Sequence, residues 1–252
     1  MNPGGASAID LSLVIACYNE EPILAASMTE VFAVLDALRW TAEVIFVDDR
    51  SRDRTRAVIA QIVAANPGRT IQVLAHETNS GRGGTVMDGM RIGRGRFLAF
   101  IDIDLEVHAR YLLPCLLALE RGNDVATALR IYRFSWRSLD RYVLSRGYCW
   151  LVRRLIDLPL QDTETGFKVF RAERIRPVLD ACVDRGWFWD TEVMVRAHAA
   201  GLRIVEVPVL FLRRFDKASS VRAFRDTVEY LRKLWAFRPI ARALREQHEG
   251  PR

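Results

Sequence analysis

Phe97-Leu98-Ala99-Phe100-Ile101 is an unbroken apolar run, and it passes straight into Asp102-Ile103-Asp104-Leu105-Glu106. A short apolar run without polar alternation reads as a strand covered on both faces. Three acids then follow at alternate positions. On an extended segment, residues two apart point the same way, so Asp102, Asp104 and Glu106 are expected to converge while Ile103 points away. Unpaired, three such carboxylates repel one another and raise their own pKa values. A hard divalent cation with oxygen ligands, Mg2+ or Mn2+, relieves that repulsion and can bridge two phosphate oxygens. An Asp-x-Asp alone is common in solvated acidic turns; its place at the tip of a buried strand sets this one apart.

Outward from that strand the pattern repeats. Leu11–Ala16, Glu43–Val47, Ile71–Ala75 and Asp124–Leu129 read as further strands. Pro22 to Leu38, Asp53 to Ala65, a short segment after Gly81–Gly84, and Tyr111 to Leu119 have helical spacing. Ser51 or Asp53 is expected to cap the second helix. Alternating strands and helices predict an α/β fold: one Rossmann-like domain with a mainly parallel central sheet flanked by helices. Ligands in such sheets bind beyond the carboxyl ends of the strands. There the sequence places Tyr18-Asn19-Glu20, Asp48-Asp49 and Asp102-Ile103-Asp104. The second half is less regular. It reads as a helix over Arg137 to Leu155, a short strand at Phe167–Phe170, a helix over Glu192 to Ala200 and a strand over Arg203–Leu212, where Pro208 implies an edge. Val221 to Gln247 reads as helical with an interruption at Pro239. No repeat or linker divides the chain, so residues 1–252 are taken as one domain. Its parts are a ligand-binding half (about 10–130), a second half (about 131–220) and a basic helical tail (about 221–252).

Half of the 252 residues are apolar and 27% are charged, which excludes a disordered chain. No apolar run reaches the roughly 18–20 residues that span a bilayer, and Met1 to Asp10 do not read as a signal peptide. A cytoplasmic protein, possible peripheral attachment aside, is the expectation. Cys17, Cys115, Cys149 and Cys182 lie far apart among apolar residues, and the histidines show no ligand spacing, so neither a zinc site nor a redox pair is expected. The net charge of +6 is concentrated after Arg203. Phosphate contacts from such a tail would account for nucleic-acid binding but not for a row of acids at a sheet edge, so a nucleic-acid partner is not expected.

Asp48 or Asp49, at the tip of the second strand, can accept hydrogen bonds from a base or ribose. Asn79-Ser80-Gly81-Arg82-Gly83-Gly84 lacks both G-x-G-x-x-G and the P-loop pattern. Its glycines read as permitting a tight turn and close backbone approach, with Arg82 within reach of phosphates.

Together these segments resemble the family-2 glycosyltransferases, which have the GT-A fold. The markers are Val14-Ile15-Ala16-Cys17-Tyr18-Asn19-Glu20-Glu21, Val47-Asp48-Asp49-Arg50-Ser51-Arg52-Asp53, Asn79 to Gly84 and Asp102 to Glu106. Within the family the chain is most similar to the polyprenyl- and dolichyl-phosphate mannose or glucose synthases, through Asp162-Thr163-Glu164-Thr165-Gly166-Phe167-Lys168-Val169-Phe170, Gly186-Trp187-Phe188-Trp189-Asp190-Thr191-Glu192 and Glu206-Val207-Pro208-Val209. The resemblance implies a nucleotide-diphosphate sugar donor (GDP-mannose or UDP-glucose type), a polyprenyl-phosphate acceptor at a membrane surface, inversion and a divalent metal, Mg2+ or Mn2+. It places Ala16, Tyr18, Glu20 and Asp49 around the nucleotide, with Asp48, Arg82, Asp102, Arg133 and Arg213 also on the donor. It assigns Asp102, Asp104 and Glu106 to the metal, and Asp104, Asp162, Arg130 and Arg214 to the reacting centre. Lys168, Trp189, Asp190, Glu192, Ser219 and Ser220 fall on the acceptor side.

Two features depart from many relatives. Ile103 stands where they have alanine, and this chain lacks the carboxy-terminal membrane helices that many of them carry. The departure keeps a second reading open, a soluble transferase acting on a hydroxyl acceptor, with Asp162 or Asp190 as the base. In the tail, Tyr230, Leu231, Leu234, Trp235, Phe237 and Ile240 interleave with basic residues. They read equally as an interfacial helix or as core. Trp187, Phe188 and Trp189 are likewise open between site and core.

Overall fold

A computed structural model of the chain describes residues 9–132, 147, 150–156, 158–212 and 223–249. Seven strands are β1 (Leu11–Cys17), β2 (Ala42–Asp48), β3 (Thr70–Ala75), β4 (Phe97–Ile101), β5 (Val125–Tyr132), β6 (Phe167–Arg171) and β7 (Ile204–Phe211). The helices are α1 (Leu24–Ala37), α2 (Thr55–Ala65), α3 (Arg82–Ile92), α4 (Leu112–Glu120, after a 3-10 turn at Ala109–Tyr111), α5 (Ala172–Ala181), α6 (Trp189–Ala199) and α7 (Ala223–Glu249). A further helical segment lies at 150–156. The rest of the expected Arg137–Leu155 helix falls outside the described residues, as do Cys149, Arg133, Arg213, Arg214, Ser219 and Ser220.

The strands form one sheet in the order β3-β2-β1-β4-β6-β5-β7. β1 pairs in parallel with β2 and β4, β2 with β3, and β5 with β7. This is the mainly parallel α/β sheet that the alternating pattern predicts. β4 and β5, although consecutive among the first five strands, are not neighbours. β6 enters between them, antiparallel to both. It is suited to that interior place because Phe167, Val169 and Phe170 are fully buried and fill both faces. β7 closes one edge, where the missing N–H of Pro208 leaves no interior ladder bond unmade.

Alternate side chains of the sheet feed two cores. Leu11, Leu13 and Ile15 of β1 pack with residues of α1, α2 and α4. Val14, Ile45, Val47, Leu98 and Phe100 pack with residues of α3, α5, α6 and α7 on the opposite face. Cys17, Cys115 and Cys182 are buried, as expected of core cysteines. Asp53 accepts the amide and hydroxyl of Thr55, just ahead of α2 (3.0 and 2.6 Å). Ser51 instead accepts the Asn19 amide at 3.0 Å, so it ties β2 to β1 and does not cap the helix. α7 runs unbroken through Pro239, where an interruption was expected. Leu234 and Phe237 before the proline and Ala241 after it are all buried in the second core, and packing on both sides outweighs one lost backbone bond.

Candidate active site

The carboxyl ends of β1, β2 and β4 share a feature that sequence reading did not find. Asn19, Arg50 and Leu105 all hold positive φ, at 57°, 61° and 53°. Non-glycine residues adopt this region at an energetic cost, and such strain concentrates at functional sites. Each one sharply redirects the chain just past a strand tip.

At Leu105 that turn changes the expected geometry. Residues 102–106 are not extended: the Leu105 amide donates to the Asp102 carbonyl at 3.1 Å. Ile103 and Leu105 are buried in the first core, and Asp102, Asp104 and Glu106 remain partly exposed. The three acids thus keep a common solvent side, with Ile103 turned away as expected. They do not converge into a cage. Among the described residues no group of three or more acids, histidines or cysteines is arranged to hold a metal. The Glu106 amide donates to Asp104 Oδ1 at 3.2 Å. Asp102 has a cationic partner within the protein, since Arg82 Nη2 lies 2.7 Å from its Oδ1.

Arg82, at the start of α3, is the hub. Its Nη1 pairs with Asp190 Oδ2. Its guanidinium lies over two rings, 5.4 Å from the centre of Phe100 and 5.2 Å from that of Trp187. Burial works against its charge, but Asp102 and Asp190 outweigh burial and hold its pKa above the usual arginine value. Asp190 is held in turn by the ammonium of Lys168, 2.7 Å from its Oδ1. Lys168 also donates to the Thr165 carbonyl at 2.5 Å. Burial lowers the pKa of Lys168, and Asp190 pulls it back. The glycine loop at 81–84 and the Asp162–Phe170 segment are therefore linked by alternating charges. The Asp102 amide also donates to the Gly166 carbonyl at 2.8 Å. A Cβ at Gly166 would lie 1.7 Å from Asp102 Oδ2, so any side chain there would displace that carboxylate.

Arg130 and Asp162 form a bidentate pair, Nε–Oδ2 2.6 Å and Nη2–Oδ1 2.8 Å. Burial would raise the Asp162 pKa, but Arg130 outweighs it and holds the carboxyl below the usual range. Glu206 positions this loop by accepting the amides of Gln161 and Asp162, both at 2.8 Å. Glu164, which sequence reading passed over, lies 3.7 Å from Arg130 Nη2. Burial pushes its carboxyl up to about 7; Arg130 opposes this, and Asp162 and Asp190 add to it.

The other expected site residues separate into two groups. Tyr18 is 41% exposed beyond β1, with Ala16 and Glu20 partly exposed beside it. Asp48 and Asp49 are buried, and their carboxylates have protein partners. Asp48 holds Arg56 Nε at 2.5 Å. Asp49 holds His76 Nδ1 at 2.8 Å and the amides of Ser80 and Gly81 at 2.6 and 3.0 Å. Both therefore organise the carboxyl end of β2, and Asp49 joins that strand to the glycine loop. Of the residues expected on an acceptor side, Trp189 is core, its ring edge-on to Phe100 at 5.4 Å. Glu192 is fully buried, holding Arg196 Nε at 2.8 Å and the Asp184 amide at 2.7 Å. Lys168 is also fully buried. Trp187 is the exposed ring, at 40%. The glycines serve close approach as expected: Gly83 and Gly84 donate to the carbonyls of Gly186 and Arg185 at 3.2 and 2.9 Å.

A mainly parallel sheet with an inserted antiparallel strand, and an acidic turn at the tip of β4, define a GT-A-type α/β transferase domain. Residues 12–178 match the model of glycosyl transferase family 2, and the chain belongs to that family. It is 34% identical over 213 residues to the glycosyltransferase AglD of Haloferax volcanii, an alignment covering 81% of this chain and 33% of that protein. It is 30% identical over 221 residues to the dolichyl-phosphate beta-glucosyltransferase of Drosophila melanogaster, covering 80% of this chain and 67% of that one. The chain thus spans a third of the length of the archaeal relative and two thirds of the fly one. Among solved structures, glucosyl-3-phosphoglycerate synthase from Mycobacterium tuberculosis, in complex with Mn2+, UDP-glucose and phosphoglyceric acid, superposes with a TM-score of 0.67. That match has 17% identity and covers 95% of this chain and 86% of that one. No helix of the described residues is long and apolar enough to cross a membrane.

Proposed function

We propose that this protein transfers a hexose from a nucleoside-diphosphate sugar to a polyprenyl phosphate at a membrane surface, with inversion and with a divalent cation. The observation that carries the reading is the meeting of two motifs, where the Asp102 amide bonds to the Gly166 carbonyl at 2.8 Å. It sets the partly exposed acids of the β4 turn against the segment that also carries Asp162, the partner of Arg130. A donor diphosphate and an acceptor oxygen would be brought together at that junction.

The donor set fits Mg2+ or Mn2+ of a particular kind. With no preformed three-carboxylate cage, Asp102 and Asp104, with Glu106 at the flank, suit a hard cation. Such a cation takes one or two carboxylates and completes its shell with substrate phosphates and water. When bound, it supplies positive charge to the oxygens of the leaving diphosphate. Arg82 lies where a further positive charge would reach that group. Tyr18, Ala16 and Glu20 border the edge that would take the nucleoside. Arg130 holds Asp162 ionised and fixed, which suits positioning of the sugar or acceptor.

A phosphate acceptor is favoured because it needs no strong base. Asp162 and Asp190, the base candidates for a hydroxyl acceptor, are both tied to cations. One feature favours the hydroxyl reading: burial pushes the Glu164 carboxyl up to about 7, the range that suits a general base. Product analysis with UDP-glucose and GDP-mannose, each against a polyprenyl phosphate and against free sugars, separates the readings. Transfer to the lipid phosphate with Mn2+ or Mg2+, lost in Asp104→Ala while the circular dichroism is unchanged, is the expected result. Transfer to sugars alone would replace the lipid reading. Full activity of Asp104→Ala would remove the acidic turn from the mechanism.

A further inference from the structure

Asp102 is the acid that a donor-bound cation should meet, yet it is already paired. Arg82 Nη2 and Nε lie 2.7 and 3.2 Å from Asp102 Oδ1. The two partners of Arg82 differ in setting. The Asp102 side chain is 44% exposed, whereas Asp190 is buried and also holds Lys168. The Asp190 end is thus anchored in a fixed, doubly compensated pair. The Asp102 end faces solvent, where an ion pair is weak. The rings of Phe100 and Trp187 both lie against the guanidinium.

We propose that Arg82 is an internal counter-ion of Asp102, which yields that carboxylate to a cation only when a nucleoside diphosphate arrives with it. The inference rests on the reading above that this edge takes a metal-bound nucleoside diphosphate. With Arg82 in place, a bare divalent cation meets a carboxylate already neutralised and a guanidinium that repels it. A diphosphate changes the balance. Arg82 can turn about its Asp190 contact and donate to the phosphate oxygens, so its charge stays paired throughout. Asp102 then becomes available to the cation. Lys168 keeps Asp190 compensated in either arrangement, so no buried charge is stranded. The device makes the metal and nucleotide sites one unit and keeps free metal from filling half of it. Arg82 is a positioning residue for the metal and a contact residue for the diphosphate.

The two roles predict opposite signs in a single variant. Arg82→Gln keeps a donor for Asp190 but removes the charge beside Asp102. Titration of Mn2+ alone, followed by the electron paramagnetic resonance of free Mn2+, is expected to give roughly five- to tenfold tighter binding in Arg82→Gln than in wild type. Calorimetry of UDP and of GDP in the presence of Mn2+ is expected to give weaker binding in the same variant. Arg82→Lys, which keeps the charge, should retain the weak binding of bare Mn2+. Arg82→Gln binding Mn2+ no tighter than wild type overturns the proposal. So does wild-type protein that binds Mn2+ as tightly alone as with nucleotide, a measurement that needs no variant to fold. If wild type binds neither nucleotide with Mn2+, the functional reading fails and takes this inference with it. If it binds one of them while the Mn2+ affinities of wild type and Arg82→Gln coincide, only this inference fails.

Discussion

Glu164 sits among Arg130 of β5, Asp162 of its own loop, Lys168 of β6 and Asp190 of α6, and burial pushes its carboxyl up to about 7. The folded protein thus holds this proton more tightly than the unfolded chain, whose carboxyl titrates near 4.5. Stability from the protonated form is complete below about 4.5 and is lost as pH rises through about 7. Between pH 5 and pH 8 the wild type should therefore lose roughly 2–3 kcal/mol relative to Glu164→Gln. Urea unfolding of both proteins at the two pH values reads this directly, because other titrating groups largely cancel in the difference. A gap that stays constant would mean that Glu164 titrates like an exposed glutamate. Glu164 lies inside a segment whose resemblance is plain in the sequence, yet its unusual proton is invisible there. The groups responsible come from other elements that only the fold brings near. The same is true of Trp187 and Trp189: the sequence marks the aromatic cluster but does not say which ring faces Arg82 and which fills the core.

Helix α3 shows what the glycines of residues 81–84 do. A Cβ on Gly83 would come 2.4 Å from Trp189 Cβ and 2.7 Å from the Gly186 carbonyl. Neither neighbour is a flexible tip that can swing aside. Gly83→Ala should cost roughly 1–3 kcal/mol by overpacking and should weaken donor binding, since Arg82 is the preceding residue. Gly68→Ala is the control: nothing lies within 4 Å of its added carbon. Thermal unfolding of the two variants should separate them clearly; equal melting temperatures would refute tight packing between α3 and the start of α6. Elements of the first half are readable because strands buried on both faces leave short apolar runs, and helices between them leave a clear period. Pairing is not readable in this way. Nothing in the Phe167–Arg171 pattern says that β6 enters the sheet between β4 and β5, because periodicity records burial and not the identity of a neighbour. The uninterrupted α7 is a related case, in which tertiary packing overrides a local helix breaker.

At the scale of the whole molecule, the carboxy-terminal helix is connected to Arg82 and the tip of β4 through the segment between α5 and α6. Lys233 Nζ lies 2.7 Å from Asp184 Oδ2, and Glu192 of α6 holds the Asp184 amide from the other side. The Tyr230 hydroxyl donates to the Trp187 carbonyl, and the Trp187 ring lies over Arg82. Arg82 meets Asp102 at the tip of β4. A basic tail read from sequence as a membrane-facing or core helix thus has a third part, bracing the loop that confines the hub arginine. Tyr230→Phe combined with Lys233→Met removes both polar ties and leaves the buried Leu234 and Phe237 in place. The pair of changes should cost roughly 1–3 kcal/mol. Amide hydrogen exchange should rise at residues 184–188, where the Gly186 amide donates to Asp184 Oδ1 at 2.8 Å. Nucleotide binding in the presence of Mn2+ should weaken by a few-fold, through the loosened 184–188 segment beside Arg82. If exchange rises while nucleotide affinity stays at the wild-type value, the brace is structural only. Arg82 would then be held sufficiently by Asp102, Asp190 and Phe100.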